Sequence, residues 1–116
     1  MYFVNKIKKI IFRYPIVTQK YCCICDSRVG NFLPYRNGIQ SVPPLISALD
    51  CVGSDVENFS CPKCESHDRE RHLYLYSKKY GFLEKFNKSE ILHFAPEKHY
   101  SKIIKKQNDR FNFISR

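Results

Sequence analysis

Two Cys-x-x-Cys pairs, a helical repeat that begins just after the second pair, and a closing strand–helix–strand pattern together predict an α+β fold. Its front part would be a metal-stapled module and its back part the opening βαβ unit of a parallel α/β domain. The pairs are Cys22 with Cys25 and Cys61 with Cys64. Thiolates at this spacing reach one ion when the backbone turns tightly between them, which suits tetrahedral Zn²⁺. A chain of 116 residues buries only about two thirds of its surface on folding, so a staple is useful. Hydrophobic content of 43% and aromatic content of 15% exclude a disordered chain.

In chain order, residues 1–20 read as a basic amphipathic helix. Phe3, Val4, Ile7, Ile10, Ile11 and Tyr14 recur at helical spacing, Lys6, Lys8, Lys9 and Arg13 fall largely elsewhere on the wheel, and Pro15 stops the helix. Such a helix can lie on an anionic membrane face. A short stripe without Trp favours the other reading, packing on the rest of the protein or on a twin subunit.

Residues 21–67 read as a zinc-ribbon-like module. In Cys22-Cys23-Ile24-Cys25 the two-residue gap leaves Cys23 as spectator. Glycine often lets the chain turn back after such a knuckle; Asp26 and Glu65 stand there instead, and Asp tolerates the left-handed region well. The distance from Cys25 to Cys61 exceeds the roughly 15–20 residues of a compact zinc module, which implies an inserted hairpin. A strand near Asn31–Ile39 with a turn at Asn37-Gly38 supplies it. Ser41–Leu49 holds Pro43-Pro44 and a helical turn, and Cys51 reads as a small hydrophobe rather than a fifth ligand. With four protein ligands the site is closed, so the metal holds the fold and leaves no position for catalysis. A dithiol redox site is disfavoured, because no thioredoxin-like βαβ surrounds either pair.

Residues 68–89 form a connecting helix and linker: Asp68 caps a helix over Arg69–Tyr80 that Gly81 ends. Its apolar face is His72, Leu73, Tyr76 and Tyr80 with Leu75 beside it, while Arg69, Lys78 and Lys79 look outward. Arg69 and Arg71 can clamp an anion or pair with Glu70. Residues 90–116 then give a strand at Ile91–Phe94, a helix over Lys98–Gln107 with Tyr100, Ile103 and Ile104 inward, a turn at Asn108-Asp109, and a strand at Phe111–Ile114. That order makes a right-handed βαβ unit. Two parallel strands leave apolar surface uncovered, so the chain reads as cut short. An acidic ribose-binding residue, expected about 20 positions after the first strand–helix turn, would fall at Ser115–Arg116.

The excess of 20 Lys and Arg over 11 Asp and Glu, a net charge of +9, favours an anionic partner such as nucleic acid, acidic lipid or a phosphorylated substrate. No aromatic–basic alternation marks a base-stacking platform. Lys6, Lys8, Lys9 and Arg13 interrupt every candidate signal-peptide core, so a reducing, cytoplasmic compartment is expected, and there paired CxxC motifs read as metal ligands.

The phrases Cys61-Pro62-x-Cys64-x-Ser66-His67-Asp68-Arg69-Glu70-Arg71-His72-Leu73-x-Leu75-Tyr76 and Ile91-Leu92-His93-Phe94-Ala95-Pro96-Glu97 resemble a bacterial group of class I S-adenosylmethionine-dependent methyltransferases. That group carries a cysteine-rich zinc-ribbon-like segment before a Rossmann-like catalytic domain. The resemblance runs from Cys22 to about Arg116 and implies that this chain is the N-terminal part of such an enzyme, inactive alone. It places His93, Phe94, Ala95, Pro96 and Glu97 at the cofactor-facing turn, with Zn²⁺ structural and S-adenosylmethionine the cofactor of the complete domain. Ala95 and Pro96 stand where the usual glycines would be, and capping the following helix is the safer role for Glu97. The acceptor would be a glycan or other small molecule. The alternative is a free-standing zinc-ribbon module that binds nucleic acid through its basic surface.

Overall fold

The computed structural model describes residues 2–16, 18–50, 53–87, 89–94 and 96–107. The elements in order are helix α1 (Tyr2–Phe12), strands β1 (Lys20–Cys22) and β2 (Ser27–Val29), a 3-10 turn (Gly38–Ser41), and helices α2 (Pro44–Ala48), α3 (Asp68–Lys79), α4 (Phe82–Phe86) and α5 (Lys98–Gln107). They fall into two compact units, Met1–Arg69 and Glu70–Arg116.

The first unit is built on two tight antiparallel hairpins. One is β1–β2, with Lys20 opposite Val29 and Cys22 opposite Ser27. The other is a narrower ladder in which Ser60 pairs with both Leu33 and His67. Its bonds are Leu33 N–H to Ser60 O (2.8 Å), Ser60 N–H to Leu33 O (2.9 Å) and Cys61 N–H to Ser66 O (3.0 Å). Cys22, Val29 and Cys61 are fully buried between the hairpins, with Ile24, Cys25, Phe32 and Cys64 packed around them. A core this small needs more than apolar burial to hold it.

Asn37-Gly38 does not close the expected hairpin. Gly38 lies at φ +63°, and a Cβ there would sit 2.1 Å from Glu57 Oε1. Glu57 reaches into that space and accepts the Ile39 N–H at 2.6 Å, so the glycine serves a carboxylate rather than a strand reversal. The inserted segment therefore carries the 3-10 turn and α2 in place of a hairpin, and Leu33 pairs with Ser60 instead of across Gly38. Cys51 lies outside the described residues.

Helix α1 runs where its periodicity puts it, but its docking is inverted. Lys9 and Phe12 are the half-buried positions, whereas Ile7, Ile10, Ile11 and Tyr14 are exposed. Lys9 forms an ion pair with Glu65, and the Phe12 carbonyl accepts the Gly30 N–H at 2.8 Å. Gly30 allows this approach, because a Cβ on it would lie 2.4 Å from the Tyr14 carbonyl oxygen. From Ile7 onward the apolar stripe does not pack on the rest of the first unit.

In the second unit, Leu83, Tyr100 and Ile104 form the core, joined by Leu73, Tyr74, Phe86 and Ile91. Of the expected stripe Leu73 faces inward, beside Glu70, Tyr74 and Ser77, whereas His72, Tyr76, Tyr80 and the neighbouring Leu75 are exposed. Polar bonds fix this rotation: Glu70 takes donors from α5, and the Ser77 and Tyr100 hydroxyls meet at 2.5 Å. Arg71 is buried and Arg69 is exposed. Gly81, at φ +67°, ends the helix as expected. Ile91–Phe94 forms no strand; Ile91 joins the apolar cluster, while Leu92 and Phe94 are exposed. The expected second strand, Phe111–Ile114, and the Asn108-Asp109 turn lie outside the described residues, so no βαβ unit is present among those described.

Candidate metal centre

The sulfur atoms of Cys22, Cys25, Cys61 and Cys64 lie within 4.8 Å of one another. Cys22 Sγ is 3.8 Å from Cys64 Sγ, and Cys25 Sγ is 3.9 Å from Cys61 Sγ. Four thiolates at the zinc–sulfur distance of about 2.3 Å form a tetrahedron with edges of about 3.8 Å. The donor set and these spacings fit a tetrahedral, thiolate-binding ion of the zinc class.

The two hairpins present the ligands in the same way. Each runs Cys-x-x-Cys, then an acidic residue, then serine: Cys22–Ser27 in one and Cys61–Ser66 in the other. The acidic residues Asp26 and Glu65 have φ of 50° and 63°, so both turn through the left-handed region that glycine would favour. Glu65 N–H bonds to Cys61 O at 2.9 Å and closes the second turn. Tyr21 donates to Asp26 Oδ1 at 2.5 Å and braces the first.

Cys22, Cys25 and Cys61 are shifted in different directions. Hydrogen bonds from the Cys61 and Cys64 thiols, then from Ser66, draw Cys22 far below the usual thiol range despite its burial. The same bonds to Cys22 and Cys64 push Cys61 up, with burial adding to the effect. Burial, then the charge on Cys22, raises Cys25 to about 11. A bound dication would favour the ionised form of every ligand thiol.

Ser66 was not singled out by sequence reading. It is fully buried, and its Oγ lies 3.1 Å from Cys64 Sγ and 3.5 Å from Cys22 Sγ. The signal that would have found it is the repeated Cys-x-x-Cys-acid-Ser phrase. Cys23, adjacent to a ligand, is outside the four-sulfur group, as expected of a spectator.

The residues expected to face a cofactor are only partly gathered. His93 Nε2 lies 3.1 Å from Glu97 Oε2, and its Nδ1 lies 3.5 Å from Ser101 Oγ. Pro96 is half-buried, Phe94 is exposed, and Ala95 lies outside the described residues. The α5 N-terminus is capped by Glu70 rather than by the Glu97 side chain. Glu70 Oε1 accepts the His99 N–H at 2.7 Å and the Tyr100 N–H at 3.4 Å, while Oε2 meets His99 Nδ1 at 3.0 Å. An open groove of about 470 Å³, lined by Tyr35, Val42, Pro43, Ile46 and Val56 among others, contains none of the predicted site residues. Among the described residues no helix is long and apolar enough to cross a membrane. Comparison with protein-family models, with curated proteins and with solved structures finds no match to this chain.

Proposed function

We propose that Cys22, Cys25, Cys61 and Cys64 hold one structural Zn²⁺ and that the module they fasten is the front part of an S-adenosylmethionine-dependent methyltransferase. The convergence of four sulfur atoms from two hairpins carries the first half of this reading. All four positions of the tetrahedron are protein thiols, so the ion's role is to bind the hairpins together, and no chemistry passes through it.

The second half is supported by the two phrases that resemble the methyltransferase group, Cys61–Tyr76 and Ile91–Glu97, and by a helix, α5, that follows the second phrase directly. Methyl transfer is an in-line displacement that depends on positioning the sulfonium carbon and the acceptor. The residues from His93 to Glu97 would contribute to the cofactor side of that positioning.

Metal analysis of protein purified under reducing conditions tests the centre: one zinc per chain is expected, and metal-free or iron-loaded material overturns it. Titration of S-adenosylmethionine into the product of the entire open reading frame that contains this chain tests the enzyme. Binding that Glu97→Ala weakens is expected, and absence of binding removes the methyltransferase reading while leaving the zinc centre intact.

A further inference from the structure

From Ile7 onward, helix α1 presents its apolar side outward. At 100° per residue, Ile7, Ile10 and Ile11 share one face, Lys9 and Phe12 lie on the opposite one, and Tyr14 follows just past the helix end. The second face is the one tied to the module, through the Lys9–Glu65 ion pair and the Phe12 carbonyl. The first is open: Ile7 is 43% exposed, Ile10 59% and Ile11 56%, and beyond the helix end Tyr14 is 60% and Ile16 80% exposed. A helix of a water-soluble fold buries such a stripe; one left in the open marks an interaction surface.

Charge selects the occupant. Lys6 flanks the stripe on one side and Lys8 on the other, Arg13 follows just past the helix end, all three are exposed, and α1 contains no acidic residue. A second copy of the same face would bring these cations against their twins without a compensating carboxylate. A bilayer surface rich in anionic headgroups meets both requirements: the apolar stripe enters the acyl boundary, and the flanking side chains extend to the headgroups. We propose that α1 docks the chain, lying flat, on an anionic lipid bilayer. The surface is independent of the metal centre and of the methyltransferase reading.

The test is sedimentation of the zinc-loaded full chain with vesicles of equal parts phosphatidylcholine and phosphatidylglycerol, beside vesicles of phosphatidylcholine alone. Pelleting with the anionic vesicles only, weakened by salt, is expected. Ile7→Glu combined with Ile11→Glu should leave the chain in the supernatant. Neutralising Lys6, Lys8 and Arg13 to Gln should weaken partitioning by about fivefold per charge, roughly a hundredfold in all. These side chains are exposed, so zinc content and the far-ultraviolet circular dichroism of the variants should match the parent and separate lost docking from lost folding. Failure of the parent chain to pellet with anionic vesicles overturns the proposal, as does undiminished pelleting of the Ile7/Ile11 variant. A parent dimer in analytical ultracentrifugation that the same variant dissolves assigns the face to a second copy and also overturns it.

Discussion

Cys25 Sγ and Cys61 Sγ lie 3.9 Å apart although thirty-six positions separate them in the chain. They belong to different hairpins, so whatever binds both holds the first unit together. Chelation of the metal is expected to unfold that unit, seen as lost amide dispersion for Val29 and Cys22. Loading the metal-free protein should release protons, because Cys25 and Cys61 hold theirs until a cation replaces them. Calorimetry in buffers of different ionisation enthalpy measures that release, and zinc affinity should rise with pH.

Ser66 Oγ touches two of the four sulfurs: it accepts from the Cys64 thiol, and its hydroxyl can donate to the Cys22 thiolate. Ser66→Ala is expected to weaken zinc binding by about tenfold, the low end of what an outer-shell partner contributes. Competition with a chromogenic chelator reads this directly.

Glu65 occupies the left-handed region at φ 63°. A β-branched residue tolerates it worst, so Glu65→Val should cost about 1–2 kcal/mol, while Glu65→Asn should be neutral or stabilising. Lys9→Ala, which removes only the exposed ion-pair partner, should cost less than about 1 kcal/mol. Thermal melts of the three variants separate backbone strain from the ion pair.

Glu70 gives α5 the acceptor its first turn lacks. Glu70→Ala leaves the His99 and Tyr100 amides without that partner and should destabilise the second unit by about 1–3 kcal/mol. Glu70→Gln keeps one carbonyl and should cost less. Hydrogen exchange at Tyr100 localises the effect.

Asp55 is raised by partial burial, but bonds from the Asn58 backbone and side chain, then from the Glu57 N–H and the charge of Lys20, outweigh this and hold it below its ordinary 3.8. A carboxylate with a depressed folded value stabilises above its unfolded value and loses that contribution as pH falls through the folded one. Stability should therefore decline below about pH 4, and Asp55→Asn should flatten that part of the curve.

The four-cysteine cluster was legible in the sequence because the geometry of each half is local: spacing within each Cys-x-x-Cys and a short turn after it. The ends of α1, α3 and α5 were legible for the same reason, through Pro15, Gly81 and periodicity. What could not be read depends on distant partners. Gly38 looked like a hairpin turn until Glu57 took the space above it. The inner face of α3 looked apolar, but Glu70 and Ser77 bind α5 and turn the helix away from Tyr76 and Tyr80. Ile91–Phe94 has the composition of a strand, yet a strand exists only with a neighbour to pair with.

Leu33 and Ser60 exchange both of their backbone hydrogen bonds, and the Lys20–Asn58, Asp55–Asp68 and Phe59–His67 contacts fasten the returning chain to the module as well. The 3-10 turn and α2 therefore sit on a detour closed at its base, whose length is of little consequence to the four cysteines. Exchanging the stretch around α2 for a foreign peptide should thus leave the four thiols in register, making this detour a natural place to graft a new recognition loop.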